Sequence, residues 1–150
     1  MADTTTKKKT LEEFRAEAAA KRLTAEKQRQ ERDDAEELAL YEKFGVDYEA
    51  EYVVCRFPDA PAQLPGFVVC DFLPKAQFDR FMSMINRPAD KPGAADAKAK
   101  FFSEIVLQTL KHPDRDRYLA LVEDRPFVID EVSGALIKAA RAGAEKSGKG

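Results

Sequence analysis

From Leu11 to Phe44 the chain alternates charged and small residues, and its larger apolar positions are few: Leu11, Phe14, Leu23, Leu38, Leu40, Tyr41 and Phe44. The stretch has no Gly or Pro and is rich in Ala, Glu, Lys, Arg and Gln, the residues that lose least on entering a helix. One long charged helix is predicted over residues 11–45, stopped by Gly45. Its apolar stripe is too thin to bury much, so its stability is expected from propensity and from i,i+4 pairs such as Glu17–Lys21. Persistent apolar a and d positions, which a coiled coil needs, are missing. The helix is therefore read as projecting or partly frayed, docked near Leu38–Phe44 or onto a partner. Deleting residues 1–36 is expected to leave the unfolding of the remainder nearly unchanged, since little apolar surface goes with it.

After this helix the pattern changes. "EYVVCRF" (51–57) and "GFVVCDFL" (66–73) are short, β-branched and aromatic, the composition of strands. The Pro-rich "PDAPAQLP" between them is too long for a tight turn, and a two-stranded antiparallel hairpin is expected. A hairpin alone is marginal, so helices must cover it. Pro74 then sits at the favoured start of a helix, with Phe78, Phe81, Met82 and Ile85 on one face. "RPADKPGAADA" (87–97) reads as a loop. A third helix is predicted from about Ala97 to Lys111, with Phe102, Ile105, Val106, Thr109 and Leu110 facing the core. A short one follows over 114–123, and the last runs from Pro126 to about Arg141, with Val128, Ile129, Val132, Leu136 and Ala139 inward. Gly143 is expected to cap it. The fold class is α+β, mostly α: the long helix, the hairpin, then three to four short amphipathic helices. The expected divisions are a disordered terminus at 1–10, the projecting helix at 11–45, a globular domain at 50–142 and a flexible tail at 143–150.

Composition narrows the function classes. The 150 residues carry a formal net charge of −2 with both signs interspersed, so bulk electrostatics favour neither nucleic acid nor an anionic membrane as partner. No apolar run approaches the length of a membrane span, and the first residues lack the apolar core of a secretory signal. A cytoplasmic protein is expected. Cys55 and Cys70 sit inside apolar runs and read as small buried hydrophobes. If the hairpin sets them opposite one another, a disulfide is open to them. With one histidine in the chain, they cannot complete a metal site. No phosphate-binding glycine loop or nucleophile elbow occurs. No catalytic residue, cofactor or metal is expected, and the protein is read as a non-enzyme.

That one histidine opens "KHPDRDRY" (111–118). His-Pro-Asp is the tripeptide that J-domain co-chaperones use on Hsp70, but here the preceding helix has no basic residue in its middle. The J-domain-like "LYEKFGV" at 40–46 also lies too far upstream. The simpler reading gives each residue a task at a helix end: Pro113 begins a helix, Asp114 and Asp116 favour its N-terminus, and Lys111 with His112 favours the C-terminus before it. In "EDRPFVIDEV" (123–132) Asp124, Asp130 and Glu131 repeat that logic.

Residues 50–141 resemble the tail assembly chaperones of long-tailed bacteriophages. The matching segments are "GFVVCDFLPKAQFDRF", "IVLQTLKHPD" and "RPFVIDEVSGALIKA"; the long charged N-terminal helix departs from that family's compact pattern. The resemblance implies a host-cytoplasmic protein that masks the apolar faces of an elongated helical partner, the tape measure protein or another helical assembly protein, without ATP. A homo-oligomer is compatible with it. Phe101, Tyr118, Leu119, Phe127 and Ile129 are the candidate groove residues, each lying beside a position assigned to the core. A small virion structural or adaptor protein anchored by its first helix is the main alternative, and a J-like co-chaperone the lesser one.

Overall fold

The computed structural model describes residues 8–86 and 93–148. The first expected element forms as one helix, α1 (Leu11–Phe44). Thr10 caps it: its side chain accepts from the Glu13 backbone N–H and the Glu13 carboxylate returns to the Thr10 N–H, satisfying two free amides at once. At the other end Gly45 takes φ 93°, and its N–H donates to the Tyr41 carbonyl, a backbone state that costs glycine little. A single turn, α2 (Tyr48–Glu51), precedes the sheet.

The hairpin is present as β1 (Val53–Arg56) and β2 (Phe67–Cys70), antiparallel, with Val54 opposite Val69 and Cys55 opposite Val68. The sheet has a third strand, β3 (Leu110–His112), antiparallel on the other side of β2. The expected helix 97–111 is therefore corrected at both ends. It begins earlier, as α4 (Ala94–Thr109), and its last residues turn into sheet. Leu110, Lys111 and His112 continue a helical pattern in sequence, yet the open edge of β2 is the stronger attractor because it pairs otherwise unsatisfied backbone groups. Around the sheet lie α3 (Lys75–Ile85), α5 (Arg115–Asp124) and α6 (Val128–Gly148). α6 runs through Gly143, which does not cap it, so the tail expected from residue 143 is helical as far as Gly148. Residues 1–7 of the expected disordered terminus, 87–92 of the expected loop and 149–150 of the expected tail lie outside the described residues.

β2 is buried along its whole length, and it separates two apolar layers. One face of the sheet gives Val53, Val68 and Cys70 to the main core, with Phe101, Ile105 and Val106 of α4, Tyr118 and Leu121 of α5, and Val128, Val132 and Leu136 of α6. The other face gives Phe67 and Val69 to a smaller cluster with Leu40 of α1 and Tyr48 of α2, edged by Phe44, Tyr52 and Val54. The period-2 alternation of strands produces this division. It places the end of α1 across the sheet from the helical layer.

Candidate partner-binding surface

The residues expected to line a groove do not form one. Phe101 and Tyr118 are core residues, only 1 % and 2 % exposed, and cannot meet a partner. The reason is phase: on α4 the buried positions are Phe101, Ile105, Val106 and Thr109, so Phe101 rather than its neighbour Phe102 is fully inside. Leu119 and Phe127 are exposed, at 41 % and 46 %, and Ile129 is half-buried. Phe127 lies at the α5–α6 connection with its ring 6.5 Å from that of Phe57, while Leu119 belongs to α5.

A different surface is built around α1. Its docking is mainly polar and starts before the apolar contacts. The Arg32 Nη1 donates to the carbonyls of Ala60, Pro61 and Leu64 at 2.8–3.0 Å, gathering the Pro-rich loop beneath the helix. Its Nε pairs with Asp33 at 2.7 Å. One turn on, the Glu36 carboxylate accepts from the Gly66 N–H (2.9 Å) and the Phe67 N–H (3.2 Å) at the start of β2. It also binds His112 Nε2 of β3 at 2.6 Å. The Arg32 and Glu36 side chains are both only 8 % exposed, and each is held by several partners, the condition under which a buried charge is tolerated. Because the acceptor is a carboxylate, the proton on that imidazole nitrogen makes the bond.

This latch needs close approach. A Cβ on Gly66 would run into Asp33 Oδ1 and, at 2.8 Å, Arg32 Nε. Glycine is required there because both obstructing groups are pinned.

His112-Pro113-Asp114 is thereby accounted for within the fold. His112 is in β3, tied to Glu36, and does not end a helix. Asp114 does serve a helix start, as the N-cap of α5, accepting from the Arg117 N–H at 2.9 Å. The His112–Pro113 peptide is cis. A strand, not a bare loop between antiparallel helices, leads into the tripeptide.

The cysteines face the main core but stand diagonally: Cys55 is opposite Val68 and Cys70 opposite Val53. Diagonal positions lie about 7–8 Å apart, beyond disulfide reach, and both thiols are free. Burial pushes the Cys55 thiol up to about 11 and the Cys70 thiol up to about 12, so neither is poised as a nucleophile. Burial also raises the Tyr118 phenol. Among the described residues no group of three or more His, Cys, Asp or Glu is arranged to hold a metal, and no helix is long and apolar enough to cross a membrane.

Two open features remain. One is a cleft of about 770 Å³ between α1, the Pro-rich loop, β3 and α5, lined by Gln28, Arg32, Ala35, Gln63, His112 and Arg117 among others. The other is the outer part of α1: from Leu11 to Glu31 no residue is buried, and Leu11, Phe14 and Leu23 are well exposed. At ~1.5 Å per residue this arm reaches roughly 30 Å from the latch. The sequence pattern foretold the arm but not the latch, whose partners lie 28 to 76 residues away. No family model, curated protein or solved structure matches the chain.

Proposed function

We propose that this protein is a non-enzymatic assembly chaperone that holds an elongated helical partner, of the tape measure kind, and keeps it soluble until a larger structure forms around it. The observation that carries the reading is the arm: an exposed helix, latched to a small domain, with Leu11 and Phe14 open to solvent on one face and Leu23 on the other. An isolated helix with so little apolar cover gains nothing for its own domain by extending, whereas an amphipathic partner laid along it would bury apolar surface on both sides. The resemblance of residues 50–141 to tail assembly chaperones supports the same reading and supplies the partner's class.

Co-expression with the tape measure protein encoded in the same genome tests this. The expected result is that the long helical protein moves into the soluble fraction with the chaperone, and that the chaperone is missing from finished particles. Precipitation of the helical protein regardless of co-expression overturns the proposal. Stoichiometric retention of the protein in finished particles assigns it instead to a structural adaptor, with the same arm as its anchor.

A further inference from the structure

The docked and exposed parts of α1 are one stripe. Leu11, Phe14, Ala18, Arg22, Ala25, Arg29, Arg32, Glu36 and Leu40 follow one another at intervals of three and four residues, which keeps them on a single face of a helix. Arg32, Glu36 and Leu40 of that series are the residues that fix α1 to the domain. The same face, continued outward, holds no buried residue: Leu11, Phe14, Arg15, Ala18 and Arg22 are exposed, and Ala25 and Arg29 are half-buried. It offers a narrow apolar line, Leu11, Phe14, Ala18 and Ala25, and an arginine row at heptad spacing, Arg15, Arg22 and Arg29. Among the described residues none of these three arginines takes part in an ion pair; nearby, Glu17 is bound by Lys9 and Lys21. By helical phase Glu12, Glu13 and Glu17 turn to the sides and back of the helix and Glu26 stands at the stripe's edge, while Glu31 lines the cleft at the stripe's inner end together with Glu36. The stripe ends at the cleft, where acids (Glu31, Glu36) and bases (Arg32, Arg117) face one another, so the uncompensated positive charge lies on the outer part of the helix.

We infer that this face docks an acidic amphipathic helix of the partner, with carboxylates at heptad spacing on Arg15, Arg22 and Arg29. The inference rests on the proposed chaperone reading and adds the chemistry of what is recognised. Charge selects the occupant. A second copy laid antiparallel pairs at most two of the arginines, Arg15 with Glu26 and Arg29 with Glu12, and leaves Arg22 opposite Ala19, and a parallel copy would set each arginine against itself. Like charges at such positions repel. A foreign helix with Glu or Asp flanking small apolar residues meets the arginines with complementary charge and fits the narrow line between them. Arginine suits the role because its planar fork can hold a carboxylate through two hydrogen bonds.

The test uses the full chain and two fluorescent synthetic helices of equal length. Both carry Leu and Ala on one face; one is flanked by Glu at heptad spacing and the other by Lys. A DNA duplex serves as a third probe. The acidic helix is expected to bind and to weaken with added salt, while the basic helix and the duplex do not bind. The triple variant Arg15→Glu, Arg22→Glu, Arg29→Glu is expected to bind the acidic helix at least roughly tenfold more weakly, the sum of several exposed pairs, and to acquire binding to the basic one. Its melting temperature should stay at the wild-type value, since the three side chains are not in the core. No binding of the acidic helix, or binding unaffected by the triple variant, overturns the inference. Arginine-dependent binding of the duplex instead also overturns it, in favour of a phosphate-binding arm. The same variant separates this inference from the chaperone reading. If it solubilises the co-expressed helical protein as well as wild type does, the arginine stripe is wrong and the chaperone reading stands. If wild type itself fails, the chaperone reading falls.

Discussion

Glu36 illustrates what one residue can do when three partners converge on it. Removing its carboxylate strands the Gly66 and Phe67 amides and His112 Nε2 in a half-buried place. Glu36→Ala is expected to cost about 2–4 kcal/mol, the penalty for a broken buried polar cluster. Glu36→Gln, which keeps one acceptor oxygen, should cost less; urea unfolding measures both. Gly66→Ala should cost about 1–3 kcal/mol through the clash with Asp33 and Arg32, and combined with Arg32→Ala, which is destabilising by itself, it should cost less than the sum of the two single losses in the same assay. The buried thiols give a pH dependence whose direction follows from their shifts. Folding raises both from near 9, Cys55 to about 11 and Cys70 to about 12. Above pH 9 the unfolded chain loses these protons while the folded chain keeps them. Stability is thus intact below pH 9 and declines as pH rises toward 11, by up to ~1.4 kcal/mol per pH unit for each thiol. Unfolding under reducing conditions should show a loss of about 2–3 kcal/mol between pH 8 and pH 10, reduced in the Cys55→Ala/Cys70→Ala variant. Equal losses in both chains would show that other groups cause the decline. At this scale the sequence was informative for the cysteines, since apolar neighbours on both sides mark a buried thiol. It was misleading for His112. Its local setting suits a helix end, while its real partner is 76 residues earlier, a separation no local pattern records.

Among the elements, α1 was legible in extent and composition because helix propensity and the Gly45 stop are local properties. Its docking was not legible, because an apolar stripe is what periodicity detects and the latch is polar. Leu40 and Phe44 do join the small cluster as the pattern implied, but Leu38 is exposed, and Arg32 with Glu36 fixes the angle. Deleting residues 1–36 removes both latch residues and is no longer expected to be neutral. Removing residues 1–28 leaves the latch intact and should shift the melting temperature by no more than a few degrees. Removing residues 1–36 should lower it by roughly 10 °C, the equivalent of a few kcal/mol in a domain of this size. Equal shifts from the two truncations, read by thermal circular dichroism, would show that the outer helix contributes as much as the latch. β3 escaped sequence reading for a related reason. Three residues are too few to display a period, and they are strand only because β2 offers an edge beside them.

The whole molecule is a small layered domain with a rigid lever, and its proposed use depends on that lever standing clear. A compact chain of this length would have a radius of gyration of about 15 Å. A helix of 34 residues is by itself about 51 Å long at 1.5 Å per residue, and only its inner part lies over the sheet. Small-angle scattering of the monomer should therefore give a radius several Å above the compact value, and the 1–28 truncation should bring it to about 14 Å. Adding the acidic helix should leave the maximum dimension of the full chain almost unchanged while raising its mass, because the ligand lies along an arm already extended. A compact radius for the free chain, lengthening only when the helix is added, would mean that the arm folds onto the domain and must be released. The stripe from Leu11 to Arg29 would then be covered at rest, and recognition would cost the loss of that internal contact.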